Sequence, residues 1–232
     1  MIACTGLTKV YRTRDGGEAG IRDVSMEARG GEWVLVRGPS GCGKSTLLLA
    51  LGGMLRPDGG EVRLGGLDVY GMGPAERARL RAGSVGFVFQ LFHLVPYLTV
   101  RENVMCGALD GGVAARGRAE ALIEELGLGG RREALPGTLS AGEKQRTALA
   151  RALVGGPMVL LADEPTGNLD PGHSRVVYER MARFRKDGGA VVMVTHGADA
   201  NGFATRIVEA RGTGAPFGFG VAANGTRHGG GL

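Results

Sequence analysis

Residues 38–46 read GPSGCGKST, between the apolar run Trp33 to Val36 and the helix-forming run Leu47 to Leu51. This satisfies G-x-x-x-x-G-K-[ST] in a strand, loop, helix setting, and it restricts the possible folds more than any other feature of the chain. Backbone N–H groups between Ser40 and Thr46 converge on phosphates only where Gly41 and Gly43 permit the dihedrals required, and the helix start adds a positive dipole. Lys44 would reach the terminal phosphates and Ser45 would ligate Mg²⁺. The nucleotide-binding candidates here are Gly38, Pro39, Ser40, Gly41, Cys42, Gly43, Lys44, Ser45 and Thr46. Cys42 reads either as an oxidation-sensitive thiol or as a small residue filling the loop.

Further short apolar runs occur at Val62 to Leu64, Val85 to Phe89, Met158 to Ala162 and Ala190 to Thr195. Several alternate with helical stretches, which predicts a largely parallel α/β sheet. Residues 99–153 read as mostly helical, a helical insertion in that core. Within it, Leu122, Ile123 and Leu126 share one face and Gly127 stops the helix. The first thirty or so residues read instead as short strands around the turn Thr13 to Gly20, predicting antiparallel pairing at one edge.

The run Met158 to Ala162 delivers Asp163 and Glu164 at its carboxyl end, where open α/β sheets bind ligands. Two adjacent carboxylates there divide the work. Asp163 would hold Mg²⁺ through its water shell, and Glu164 would orient or deprotonate an attacking water. An aspartate at a strand end is also a common helix cap, but the phosphate loop upstream favours the catalytic reading.

Composition narrows the class. Glycine supplies 44 of 232 residues, far above the usual ~7%, without a collagen period, so many turns or phosphate-facing loops are expected. The excess of 28 basic over 23 acidic residues is spread along the chain, which reads as a solvated arginine-rich surface with no nucleic acid as partner. Cys4, Cys42 and Cys106 show no CxxC spacing, which argues against a disulfide framework or zinc site and for a reducing compartment. The N-terminus lacks the apolar core of about seven or more residues that a signal peptide needs, and no stretch reads as a bilayer span.

LSAGEKQRTALARAL, Leu139 to Leu153, followed by VLLADEPTGNLD, Val159 to Asp170, resembles the signature and Walker B segments of ABC-transporter ATP-binding subunits. LGGM after the phosphate loop, FVFQLFHLVPYLTVRENV and TGNLD look like the branch serving lipoprotein release, macrolide export and related lipid or peptide export. The resemblance runs from about Leu7 to Ile207. It implies a P-loop NTPase of ABC type: a RecA-like parallel sheet core, an N-terminal antiparallel β edge and a helical insertion. It also implies one ATP-binding domain over residues 1–211, with a helical subdomain near 99–153. ATP and Mg²⁺ are the implied cofactors.

The resemblance assigns further residues. Tyr11 matches the aromatic residue that stacks on adenine, although a tyrosine at the edge of the core is the other reading. Gln90 matches the glutamine that contacts Mg²⁺ or water and senses the membrane partner; it also reads as a polar strand terminus. Ser140 and Glu143 form a capping box that begins a helix. The resemblance turns that helix start, with Gly142, toward the γ-phosphate held by a second subunit. Ala141 stands where the family usually has a glycine; if it sits close to phosphate its methyl group would weaken closure modestly, a change of the kind the family tolerates. Asp170 matches a residue that spans the dimer interface, or serves simply as a helix N-cap before Pro171. His196 matches the switch histidine that bonds the γ-phosphate and supports Glu164. Glu164, His196 and Lys44 are thus the catalytic candidates, and Ser45, Gln90 and Asp163 the metal candidates. His93, His173 and His228 have no such context.

The implied assembly is a head-to-tail homodimer around two Mg·ATP, driving a separate integral membrane permease from the cytoplasmic face. The segment Gln90 to Leu98, with Leu91, Phe92, Leu94, Val95, Tyr97 and Leu98, would line the groove for that partner, or pack within the helical insertion. A different function compatible with these motifs is mechanical signalling through a membrane partner to cell-wall enzymes, with no solute moved. The ending at residues 212–232 departs from the family pattern and reads as a loose, glycine-rich tail.

Overall fold

β1 (Ile2–Arg12) and β2 (Glu18–Ala28) pair antiparallel, with Ile2 opposite Ala28 and Tyr11 opposite Ala19. β3 (Trp33–Arg37) leads through the glycine-rich loop into α1 (Lys44–Leu51). β4 (Gly59–Leu64) and β5 (Leu67–Asp68) form a hairpin, and α2 (Pro74–Ser84) runs into β6 (Val85–Val88). Helices α3 (Val100–Met105), α4 (Val113–Glu125) and α5 (Ala141–Val154) occupy the stretch before β7 (Val159–Asp163). α6 (Pro171–Lys186), β8 (Ala190–Thr195), β9 (Arg206–Arg211) and β10 (Gly218–Gly220) complete the order. In this computed structural model the described residues are 1–14, 16–197, 199–211 and 218–220. The rest of the tail expected to be loose lies outside them; the backbone of residues 218–220 pairs antiparallel with β9.

Two sheets result. The six-stranded sheet has the order β10-β9-β3-β8-β7-β6, and its pairings from β9 to β6 are parallel. The other sheet, β2-β1-β4-β5, is antiparallel and has four strands. The antiparallel pairing expected of the N-terminal strands is present, as a sheet beside the central one, and the run Val62 to Leu64 belongs to that sheet. The reason is local: Gly65 and Gly66, at φ 60° and 87°, fold β4 back on β5, while Leu64 pairs with Ile2.

Alternation along the central strands builds two cores. Trp33, Leu35, Leu160, Ala162, Val191 and Met193 face the helical insertion and α6, against Val104, Ile123 and Leu149 of the former and Tyr178 of the latter. Val34, Val36, Val159, Leu161, Val192 and Val194 face the other way, against Leu47, Leu48 and Leu51 of α1 and Leu7, Ile21 and Val62 of the antiparallel sheet. The helices begin at explicit caps. Thr99 and Glu102 close a capping box on α3, Ser140 and Glu143 close one on α5, and Asp170 caps α6 ahead of Pro171. Gly127, at φ 66°, follows the end of α4. Among the described residues no helix is long and apolar enough to cross a membrane.

Candidate functional site

The neighbours β3, β8 and β7 run parallel, so their carboxyl ends open on the same edge, the ordinary ligand position of such a sheet. A cleft of about 390 Å³ lies there, lined by Ser40, Gly41, Gly43, Lys44, Ser45, Thr46, Gln90, Asp163, Glu164 and His196, with Tyr11, Ala19 and Gly20 from the antiparallel sheet. Residues predicted from widely separated segments thus meet in one place. Gly38, Pro39 and Cys42 do not line it. Cys42 is buried, and a Cβ on Gly38 would stand 2.7 Å from the Cys42 Sγ, which places the thiol inside the loop as filling.

The loop has the geometry that its glycines predict. Gly41 and Gly43 adopt φ 78° and 84°. Gly43 is constrained twice, because a Cβ there would stand 2.5 Å from the Gly20 carbonyl oxygen. The ammonium group of Lys44, a buried residue, donates to the carbonyls of Gly38 at 2.8 Å and Pro39 at 2.9 Å. The cation is therefore held over the loop at the first residue of α1, where the helix dipole has the same sign.

Glu164 is the most constrained side chain in the cleft. Its φ is 45°, a conformation uncommon outside glycine, and its N–H donates to Val194 O at 3.0 Å. Thr195 Oγ1 donates to Oε2 at 2.8 Å, while the His196 backbone N–H donates to Oε1 at 2.8 Å and His196 Nδ1 lies 2.7 Å from the same oxygen. A carboxylate offers about four lone-pair sites, and these contacts use three. The remaining one is on Oε2, available to a water. Because a carboxylate only accepts, the His196 proton sits on Nδ1 and Nε2 is the free ring nitrogen.

Asp163 lies one residue earlier. Burial pushes its carboxyl above the usual aspartate range and the Glu164 charge adds to this, while a hydrogen bond from Ser45 and the charge of Lys44 oppose it. Two half-buried carboxyls, a serine hydroxyl and the Gln90 amide form a hard oxygen donor set with few protein ligands. That is the chemistry that suits Mg²⁺ shared with phosphate and water, and among the described residues no cluster of three or more His, Cys, Asp or Glu offers a denser site.

Tyr11 is 41% exposed on the rim and lines the cleft, with the Lys9 ammonium over its ring 5.7 Å from the centroid, so it is a rim residue rather than part of the core. Ser140, Gly142 and Asp170 do not line the cleft. Ser140 caps α5, accepting from Glu143 N at 3.2 Å, and Asp170 caps α6, accepting from His173 N at 3.0 Å. Residues that sequence reasoning missed are Thr195, which holds Glu164, and Ala19 and Gly20, which form part of the wall. Thr195 ends a β-branched run and reads there as an ordinary strand residue.

The segment after Gln90 divides. Leu91 and Tyr97 are exposed, whereas Leu94 packs against the helical core. Phe92 and His93 adopt φ 57° and 47°, and the Arg151 guanidinium grips this turn, donating to His93 O at 2.5 Å and Phe92 O at 2.7 Å. Beside it a second cleft of about 500 Å³ is lined by Phe87, Phe89, His93, Leu109, Arg81 and Arg151 among others.

A family model described as ABC transporter matches residues 21–167. The lipoprotein-releasing system ATP-binding protein LolD of Geobacter metallireducens is 45% identical over 212 residues, 88% of this chain and 94% of that protein. LolD 2 of Caulobacter vibrioides is 42% identical, covering 90% and 93%. The macrolide export ATP-binding/permease protein MacB of Chlorobium luteolum is also 42% identical, over 88% of this chain but 32% of its own length. A solved structure titled as the dimeric bacterial ABC transporter cassette MJ0796 superposes with a TM-score of 0.82 at 33% identity, covering 90% of this chain and 94% of that one. The same cassette in a post-hydrolysis state bound to ADP and Pi gives 0.82 at 32%.

Proposed function

This chain belongs to the ABC transporter family, in the branch of LolD and MacB ATP-binding subunits, and from that premise we propose how its own residues carry out ATP-driven transport. It is an ATP-binding, ATP-hydrolysing subunit that works with a membrane partner. The observation that carries the reading is the meeting of the Lys44 loop with a Glu164 held by Thr195 and His196 in one cleft.

The loop N–H groups and Lys44 hold the triphosphate, and Tyr11 stacks on the base. Glu164 orients a water through the open site on Oε2. As the water oxygen bonds to the γ-phosphorus, the bond to the β-bridging oxygen breaks toward ADP and the water proton passes to Glu164. His196 and Thr195 keep that carboxylate in place. Mg²⁺, held by Ser45 with Gln90 and Asp163, would supply charge neutralisation on the phosphates.

Ser140, Gly142 and Asp170 lie outside the cleft of their own chain, which supports a role across a seam. Two copies close head to tail, and each α5 start faces the γ-phosphate bound by the other, as helix N-termini favour anions. The names of the relatives point to the work done: release of lipoprotein or export of a macrolide. The proposed activity is therefore extraction or export of a lipid, lipoprotein, peptide or drug by a separate permease. That permease docks beside residues 90–98 and the adjoining second cleft, with this subunit on the cytoplasmic membrane face. Phosphate release by the purified chain tests the chemistry, with Lys44→Ala expected to lose ATP binding. Co-purification with a membrane protein tests the assembly. Unchanged turnover by Lys44→Ala would refute the site.

A further inference from the structure

His173 does not line the cleft, yet it stands where the start of α6 meets the start of α5. Its Nδ1 lies 2.5 Å from Asp170 Oδ2, and its backbone N–H donates to Asp170 Oδ1 at 3.0 Å. These two bonds, the backbone one first, hold the Asp170 carboxyl below the usual aspartate range. The carboxylate only accepts, so the His173 proton sits on Nδ1 and the tautomer is fixed. The far edge of the same ring covers the bare α-carbon of Gly142: a Cβ built there would stand 2.5 Å from His173 Cδ2 and 2.9 Å from Cγ. Only glycine at that position admits the ring, and Gly142 lies in the first turn of α5, next to the Ser140 cap.

We infer that His173 is a positioning residue that locks the Asp170 carboxylate to the Ser140–Gly142 helix start, so that both meet a second copy as one preformed edge. The inference rests on the head-to-tail closure proposed above. The physical gain is preorganisation. Without the imidazole, the start of α6 and the start of α5 drift separately, and closure around ATP must order both at once.

The test uses the Glu164→Gln chain, whose ATP-dependent association is followed by light scattering through an ATP titration. His173→Phe keeps a ring of similar size on Gly142 without the bond to Asp170, and His173→Ala removes both. Each is expected to raise the ATP concentration for half-maximal dimer about tenfold, the usual scale for a hydrogen bond to a charged group. His173→Gln, whose amide can donate to Asp170, should restore most of the loss. Binding of a fluorescent ADP analogue to single subunits, which reads the cleft alone, should stay within about twofold in all three. Dimerisation of the Phe variant at the parent's ATP concentration overturns the inference, as does a Gln variant no better than Ala, or loss of ADP binding in step with dimerisation. If the Glu164→Gln parent itself stays single at saturating ATP, head-to-tail closure fails and this inference falls with it. A parent that dimerises while its His173 variants match it leaves closure standing and refutes the role of His173 alone.

Discussion

A single oxygen, Glu164 Oε1, meets His196 twice, accepting from its backbone N–H at 2.8 Å and lying 2.7 Å from its ring Nδ1. The placement of the histidine and the rotamer of the acid are therefore one variable, not two. Glu164→Gln keeps the shape of the side chain but removes the proton acceptor. Phosphate release is expected to fall by roughly 10²–10⁴-fold, the range for a lost general base, with nucleotide still bound and the ATP-held dimer accumulating. Full turnover by this variant would end the assignment.

Thr195 tests the contribution of orientation. Thr195→Val preserves the β-branched shape and the buried packing of β8 but strips the 2.8 Å hydrogen bond to Oε2, together with the acceptor for the Gly197 N–H at 2.9 Å. A fall in kcat of about tenfold at nearly unchanged KM is expected, since the bond acts on the acid and not on the nucleotide. Steady-state kinetics decide it: a rise in KM with constant kcat would contradict the mechanism.

The start of α5 should show an acid limb in its stability. Glu143 is held below the usual glutamate range first by the Ser140 backbone N–H, at 2.8 Å from its Oε2, with Arg131 adding to the effect. A carboxyl lowered in the folded state contributes stability above its unfolded value near ~4.3 and loses it as pH falls through the folded value. Urea unfolding followed from about pH 6 down to about pH 3 should therefore lose stability along a limb that Glu143→Gln flattens. At neutral pH, Ser140→Ala is expected to cost about 1 kcal/mol as a lost cap.

Under the docking proposed beside residues 90–98, partner binding is expected to separate from catalysis at Tyr97, which is 78% exposed. Tyr97→Asp should leave the hydrolysis rate of the isolated subunit within about twofold, since the side chain is exposed and makes no cap or core contact, yet it should abolish co-purification with the permease. Phe92→Asp is expected to uncouple hydrolysis from membrane assembly in the same way. Leu94→Asp mixes two effects, because Leu94 packs on the helical core, so its loss of assembly should come with reduced thermal stability. Retention of the permease by the Tyr97 variant would move the docking surface elsewhere.

The central strands were legible because β3, β7 and β8 are buried on both faces and therefore read as continuous apolar runs. The phosphate loop was legible because its glycines answer a backbone requirement, and the start of α5 because Ser140 and Glu143 form a local motif. The second sheet was less so, since the pairing of β4 with β1 depends on register between residues as distant as Ile2 and Leu64. Thr195 was hidden because a threonine at a strand end is commonplace. His173 was hidden because its partner Gly142 shows nothing in sequence of the ring that covers it.

The grip of Arg151 on the turn at Phe92 and His93 gives α5 two ends with different neighbours. Arg151 lies eleven positions after Ser140, about 16 Å along a continuous helix. Where the permease docks at that turn, as proposed, a push on it is expected to travel along a stiff rod and emerge at the Ser140 tip. The subunit would feel its permease as a lever feels a load, and the pace of ATP use would be set by the weight at the other end.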